Sequence, residues 1–254
     1  MGSTNVGNEI AVVAGATGSF GKTIVSRLSK AGLQIIAVAR TAKALDELAN
    51  EYPCVTPCVT DIADDSSIAD IEALIRRTVR MVVHGPGVPV AGDILTAPTA
   101  LLSGAVNIKV GGMLRLVRAV DAHLTKGSRL VAIGGHYGFE PSAYAASAGI
   151  ANAALVNASR QLSLAYGPRG ITSHIIAPGP ADTDRLRRLV KDQAELLNIT
   201  VEEVLANIKA ESSIGSFTTA EQVAWAIAML LDPEADAMTG STLMLDSGRR
   251  RGLP

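Results

Sequence analysis

The feature that most limits the possible folds of this chain is a regular alternation of short apolar runs with longer amphipathic segments. Seven runs have the length and composition of buried strands, at residues 9–14, 33–39, 54–60, 80–84, 129–133, 171–177 and 241–245. Segments between them, such as GKTIVSRLSKAG and TAEQVAWAIAMLLD, carry apolar residues at helical spacing. This alternation predicts an α/β fold, with one doubly wound parallel sheet and helices on both of its faces.

The length and composition fit one domain rather than several. The chain has 254 residues, 48% of them hydrophobic and only 3% aromatic, so Ala, Val, Ile and Leu must form the core. Such residues suit a sheet that closely packed helices cover on both faces. No repeat, low-complexity tract or linker divides the chain, and we expect a single domain over residues 1–254.

One long, charge-rich excursion, residues 180–217, follows the sixth predicted strand. In a doubly wound fold it lies at the carboxyl edge of the sheet, where ligands bind, so we expect a mobile lid. The excursion mixes arginines with aliphatic residues, namely Arg185, Arg187, Arg188, Leu186, Leu189 and Val190. These form either an amphipathic helix with a solvated basic face or a surface for an anionic substrate.

Charge and targeting signals narrow the class of partner. The 23 basic and 24 acidic residues nearly balance, so no overall field attracts nucleic acid or an anionic membrane. The first ten residues lack the pattern of a signal peptide, and no apolar run reaches the roughly 18 residues of a membrane span. We expect a cytoplasmic protein whose partner is a small-molecule substrate, with no nucleic acid and no membrane.

The two cysteines, Cys54 and Cys58, lie in the third predicted strand. On a strand they are about 13 Å apart, which is beyond disulfide reach. No histidine is close to them in sequence, so we expect reduced thiols and no metal site.

A glycine-rich loop, AGATGSFGKTIV, follows the first predicted strand and opens a helix. Glycine permits a tight turn and close approach of the backbone to a pyrophosphate, while the helix N-terminus binds anionic oxygens. The predicted cofactor-binding residues of this loop are Gly15, Thr17, Gly18, Ser19, Phe20 and Gly21. The sequence thus predicts a dinucleotide site.

The end of the second predicted strand indicates which dinucleotide is bound. An acidic residue there would bind the 2′-hydroxyl of NAD, but the chain has Ala39 and Arg40. Arginine suits a 2′-phosphate, so we expect NADP(H). The alternative is a solvated Arg40 at a helix start.

Several stretches together resemble the short-chain dehydrogenase/reductase (SDR) family over essentially the whole chain. They are VTDI around Asp61, VNIKVGG with Asn107, SAYAASA with Tyr144, APGPADT at 177–183 and MTGSTLMLDSG near the end. Two stretches depart from the family pattern. The glycines are spaced as in the family's extended and atypical branches, and HGPG at 84–87 replaces an Asn-Asn-Ala-Gly turn. Pro86 can fix that turn, with His84 as a catalytic base the minor alternative.

The resemblance implies further cofactor contacts. Those on the adenine side and in the central turn are Asp61, Ile62 and Gly85. Those beside the nicotinamide are Tyr144, Pro178, Gly179 and Thr183. The family commonly forms dimers and tetramers, so we expect a homodimer or homotetramer, or a hetero-oligomer with an active SDR subunit. The interface is expected to include the helix that carries Tyr144.

The resemblance also implies a catalytic set of Asn, Ser, Tyr and a Lys four residues after Tyr. Asn107 and Tyr144 match, whereas Gly134 or Gly135 stands at the Ser position and Ala148 at the Lys position. Lys109 is two residues from Asn107 and therefore points to nearly the opposite side of a helix. We do not expect Lys109 to replace the missing lysine, nor Arg160, which is about 24 Å from Tyr144 along a helix axis.

His136 follows Gly135 and is the candidate for the missing hydrogen-bonding group, because imidazole donates hydrogen bonds and transfers protons near neutral pH. The alternative is a loop histidine bonded to backbone or exposed. The predicted catalytic residues are therefore Tyr144, Asn107 and His136.

Three functions fit this pattern. The first is an NADPH-dependent reductase of a carbonyl or imine, since an ordinary tyrosine with a pKa near 10 stays protonated and can donate a proton. Oxidation would need a phenolate, which costs about 1.4 kcal/mol for each unfavourable pKa unit. The second is a non-catalytic NADP-binding subunit or sensor. The third is a non-redox isomerase, cyclase or lyase that uses the same pocket.

Overall fold

The seven predicted strands pair into one parallel sheet in the computed structural model, which describes residues 9–88 and 93–252. The strands are β1 (Ile10–Ala14), β2 (Gln34–Ala39), β3 (Val55–Val59), β4 (Val79–His84), β5 (Leu124–Ile133), β6 (Thr172–Pro178) and β7 (Thr242–Leu245). Their order is β3-β2-β1-β4-β5-β6-β7, and every neighbouring pair is parallel. The predicted doubly wound sheet is confirmed.

Nine α-helices connect and cover the strands in the described part of the chain. They are α1 (Ser19–Lys30), α2 (Ala42–Glu51), α3 (Ser66–Glu72), α4 (Thr99–Val106), α5 (Gly112–Val120), α6 (Ala146–Tyr166), α7 (Asp184–Leu197), α8 (Val201–Ala210) and α9 (Ala220–Met229). A π-helical turn, Asn107–Gly111, joins α4 to α5.

Side-chain alternation along the strands builds a core on each face of the sheet. Val13 and Val83 pack into the cluster that holds the apolar residues of α1, α2 and α9. Val12 and Val82 point the other way, into the cluster with α3, α5 and α6. Both faces are buried, as a parallel sheet requires.

The strand order reverses between β1 and β4, and this reversal positions the site. Ligands of open α/β sheets bind at the carboxyl ends of the strands at such a switch point. The turns after β1 and β4 touch one another there, since Gly85 N–H donates to the Ala14 carbonyl at 3.0 Å.

The excursion over residues 180–217 folds into α7 and α8. Thr183 caps α7, and Thr200 forms a reciprocal capping box with Glu203 at the start of α8. Its two ends lie together, because Ala181 bridges Thr218. The structure does not describe six side chains of α7, those of residues 184, 185, 188, 189, 192 and 196. The two interpretations of Arg185, Arg188 and Leu189 therefore fall outside the described part of the chain. The lid motion stays a prediction.

Both cysteines are free thiols, with Cys54 just before β3 and Cys58 buried within it. Burial raises the pKa of the Cys58 thiol to about 11, with the nearby Asp70 carboxylate adding to the effect. No group of three or more metal-ligating side chains occurs in the described parts of the chain.

One helical stretch, Thr99–His123, is long and apolar enough to cross a membrane by length and composition alone. Its α5 portion buries Met113, Leu116 and Val117 in the core cluster beneath the sheet. A core helix has the same composition, and this packing accounts for the apolar residues of α5.

Candidate functional site

The glycine loop between β1 and α1 is shaped so that side chains are excluded from it. Gly15 has φ +75°, and a Cβ there would lie 3.0 Å from the Pro86 nitrogen. A Cβ at Gly21 would overlap the Gly15 carbonyl oxygen and lie 2.6 Å from the Ala16 carbonyl carbon. The glycines therefore allow the loop, the turn after β4 and the start of α1 to pack closely together.

The N-terminus of α1 faces this opening. Gly18 is its N-cap residue and contributes no capping side chain, while α1 begins at Ser19. The amide groups of Ser19, Phe20 and Gly21 form the first turn, and first-turn amides lack partners within a helix. They make an anion site of the kind that binds a pyrophosphate.

Arg40 and Asp61 stand together beyond β2 and β3. The Arg40 guanidinium lies 3.8 Å from the Asp61 carboxylate, with 77% and 39% of the two side chains exposed. Such an exposed pair is weak and easily exchanged for a ligand. Asp61 also accepts a hydrogen bond from the Ala63 amide, and Ile62 is buried. We call the glycine loop with Arg40 and Asp61 the nucleotide end.

The turn after β6 forms a second wall. Pro178 ends the strand, and Gly179 donates its amide hydrogen to the Leu245 carbonyl at 3.0 Å. A Cβ on Gly179 would lie 2.9 Å from Asp246 Cα, so this turn is packed tightly against the segment after β7. Thr183, four residues on, is engaged as the cap of α7.

The end of β5 lacks side chains where it meets α6. A Cβ on Gly135 would lie 2.9 Å from Asn152 Nδ2, so Asn152 is the residue that stands beside the expected serine position. Asn152 is buried, and its Oδ1 atom has no hydrogen-bond partner among the described residues. We call Gly134, Gly135, Asn152 and the Pro178–Gly179 turn the chemical end.

Tyr144 does not lie in α6, which begins at Ala146. Its side chain is 76% exposed, whereas Ala148 and Asn152, one and two turns further on, are buried. Ala148 packs with Val88, Ala105 and Ala151. The structure therefore corrects the expectation that a helix carries Tyr144, and it places other side chains next to Gly135.

Asn107 faces the nucleotide end rather than the chemical end. Its Nδ2 donates to the Ala63 carbonyl at 3.0 Å, and its Oδ1 accepts from Arg115 at 3.0 Å. Arg115 in turn pairs with Asp65 at 2.6 Å. Both polar atoms of the Asn107 amide thus hold the loop after β3.

His136 opens a short 3-10 turn, His136–Gly138, that packs on α6. Its ring is buried and lies 4.1 Å from the Tyr137 ring, centroid to centroid. Burial, together with the charge of Arg249, lowers the pKa of His136 to about 4. The imidazole is neutral at pH 7 and offers a hydrogen bond rather than an acidic proton.

Lys109 is the functional candidate that sequence reasoning set aside. The Lys109 side chain points away from that of Asn107, as expected. Because Asn107 faces the loop after β3, Lys109 faces the end of β5. The ammonium donates to the Ile133 carbonyl at 2.7 Å, directly before Gly134. The structure thus brings Lys109, which was not expected to replace the missing lysine, to the end of β5 beside Gly134.

A sequence profile of the family described as Enoyl-(Acyl carrier protein) reductase matches residues 15–250. The chain belongs to the short-chain dehydrogenase/reductase family. The family match identifies this SDR as an oxidoreductase, and its fold agrees with that of solved family members.

Similar SDR proteins are named as reductases. A putative ketoacyl reductase of Streptomyces coelicolor is 27% identical over 258 residues, covering 95% of this chain and 97% of the relative. The 3-oxoacyl-(acyl-carrier-protein) reductase of Escherichia coli is 26% identical over 250 residues, covering 96% and 98%. The crystal structure of an actinorhodin polyketide ketoreductase with NADPH matches with a TM-score of 0.87 at 25% identity, covering 95% and 97%.

Proposed function

We propose that this SDR binds NADP(H) across the switch point and reduces a carbonyl or imine, with a proton source other than Tyr144. The observation that carries the proposal is the contrast between the two ends of the site. The nucleotide end has the glycine cradle, the open helix N-terminus and Arg40. The chemical end has Gly134 or Gly135 where the SDR resemblance implies a serine and Ala148 where it implies a lysine.

The residues present fit the cofactor. Gly15 and Gly21 let the loop pack closely against the Gly85–Pro86 turn and against its own backbone, which fixes the path of the loop, and the α1 N-terminus supplies the donors for a pyrophosphate. Arg40 is exposed and its ion pair with Asp61 is long, at 3.8 Å, so it is available to a 2′-phosphate. The names of the ketoreductase and sorbose reductase structures, both solved with NADPH, favour the same cofactor.

Hydride is what the reduced cofactor would supply, and the chain must provide binding and a proton. We propose that Asn152, which is buried, lies one turn beyond Ala148 on α6 and adjoins Gly135, is the polar group of α6 that faces the substrate where Ala148 holds the family's Lys position. The neutral imidazole of His136 then hydrogen-bonds a substrate oxygen, and water delivers the proton.

The same geometry favours a second candidate, a non-catalytic NADP(H)-binding subunit or sensor. The observation behind it is that Ala148 contributes only a methyl group and packs in an apolar cluster. A substrate held there would gain no acid from α6.

The test separates binding from turnover. Titration of the protein with NADPH is expected to show saturable binding that Arg40→Ala weakens and that Arg27→Ala, a change in the last turn of α1, leaves intact. NADPH oxidation is then followed with a panel of ketones, quinones and imines. Turnover supports the reductase, binding without turnover supports the sensor, and absence of binding refutes both.

A further inference from the structure

Three buried polar side chains meet where β4 and β5 end. His84 closes β4, Lys109 lies in the π-helical turn, and Asn152 stands on α6. Their exposed fractions are 0%, 4% and 5%. Lys109 binds the carbonyl of Ile133 and Asn152 adjoins Gly135, so both stand at the turn after β5. His84, on the neighbouring strand, is close enough for the charge of Lys109 to act on its ring.

One of these side chains keeps a polar atom without a hydrogen-bond partner among the described residues. It is Oδ1 of Asn152, whereas the His84 ring interacts with the backbone of Ile108. The great majority of buried polar atoms in proteins are hydrogen-bonded, so this atom indicates a bound water or ligand. Asn152 stands beside the Gly134–Gly135 turn, at the carboxyl edge of the central strands.

The positive charge of this cluster belongs to Lys109. Burial lowers the pKa of His84 to about 3, and the charge of Lys109 contributes to the effect. His84 is therefore neutral at pH 7, and Asn152 cannot ionise. One buried ammonium thus stands behind the Gly134–Gly135 turn.

A dinucleotide bound at a switch point extends to both sides of it. Arg40 and Asp61 would hold the adenosine half on the β2 and β3 side, and the nicotinamide half would then extend over β4 and β5. That half carries a positive charge in NADP⁺ and none in NADPH. A fixed cation nearby, poorly screened by water, disfavours the oxidised ring.

We propose that Lys109 supplies the positive charge of the chemical end and makes the site selective for NADPH over NADP⁺, with a water bonded to Asn152 Oδ1 beside the Gly134–Gly135 turn linking the charge to the ligand. The inference rests on the proposed NADP(H) binding. The same charge stabilises the oxygen of a carbonyl as it gains negative charge during reduction.

The experiment compares the dissociation constants of NADP⁺ and NADPH by calorimetry. Lys109→Met removes the charge and is expected to lower the ratio of the NADP⁺ constant to the NADPH constant about tenfold, or about 1.4 kcal/mol. Lys109→Arg keeps the charge and is expected to keep the ratio. Lys30→Met, at the far end of α1, is the matched control and leaves it unchanged.

A second variant protects the test against misfolding of Lys109→Met. Asn152→Asp leaves Lys109 in place and adds a compensating negative charge, so the ratio is again expected to fall. An unchanged ratio in folded Lys109→Met, or in Asn152→Asp where Lys109→Met does not fold, overturns the inference. If the wild-type protein binds neither nucleotide, the proposed function fails with it.

Discussion

Replacing Gly21 by alanine tests the nucleotide end at its tightest point. The added Cβ would overlap the Gly15 carbonyl oxygen and lie 2.6 Å from Ala16 backbone, so the loop or the helix must shift. Overpacking of this kind costs about 1–3 kcal/mol, and backbone neighbours on both sides favour the upper end. If the shifted loop must return to its original position to bind NADPH, that return costs about 3 kcal/mol. Such a cost lowers NADPH affinity roughly a hundredfold.

The assay is a fluorescence titration with NADPH beside a thermal melt. Gly104→Ala is the matched control, because Gly104 lies within α4 and nothing stands within 4 Å of the added Cβ. This control is expected to bind NADPH normally and to gain about 0.5–1 kcal/mol of stability. NADPH affinity of Gly21→Ala equal to that of the wild type would refute the proposed placement of the pyrophosphate.

Further predictions concern specificity, pH and assembly. Arg40→Ala is expected to weaken NADPH binding by tenfold or more while NADH binding, measured in the same titration, stays as it was. Burial lowers the pKa of His84 to about 3 and of His136 and His174 to about 4. At a pH between those values and about 6.5, the unfolded chain therefore binds more protons than the folded protein. Stability therefore falls as the pH drops through this window, and urea melts of His174→Gln are expected to show a smaller loss. Leu164 is 77% exposed on α6, the helix expected in the oligomer interface, so Leu164→Glu is expected to shift the mass measured by light scattering toward monomer.

Local sequence patterns were sufficient to predict the fold, because each buried strand is a short aliphatic run and each covering helix is amphipathic. All seven predicted strands are present. β5 begins at Leu124 instead of residue 129, because its first residues, including Thr125 and Lys126, are exposed and polar and so lack the apolar pattern.

The nucleotide end was also predictable, since it depends on a contiguous glycine loop and on residues at strand ends. Gly15 and Gly21 have the close backbone contacts expected of them, and Arg40 lies beside Asp61. Their contact with a cofactor stays a prediction, as does the cytoplasmic location.

The chemical end was harder to predict because it depends on where α6 begins and on which way its side chains point. The string SAYAASA suggested Tyr144 with Ala148 at the Lys position, and sequence did not show that Tyr144 precedes α6 while Asn152, one turn beyond Ala148, is buried beside Gly135. Lys109 was set aside by its angle to Asn107, and the direction in which Asn107 itself points is a tertiary fact. Spacing in the sequence determines the angle between two side chains on a helix, but it does not determine which residues those side chains contact.

The most direct test of the central claim, that the chemistry of this SDR does not use Tyr144, is single-turnover NADPH oxidation by the wild type and by Tyr144→Phe. The substrate is the best ketone or imine found in the panel. Because the Tyr144 side chain is exposed and outside α6, equal rates within about twofold are expected. A loss of about a hundredfold or more in Tyr144→Phe, with NADPH binding unchanged, would contradict the account and restore Tyr144 as the proton donor.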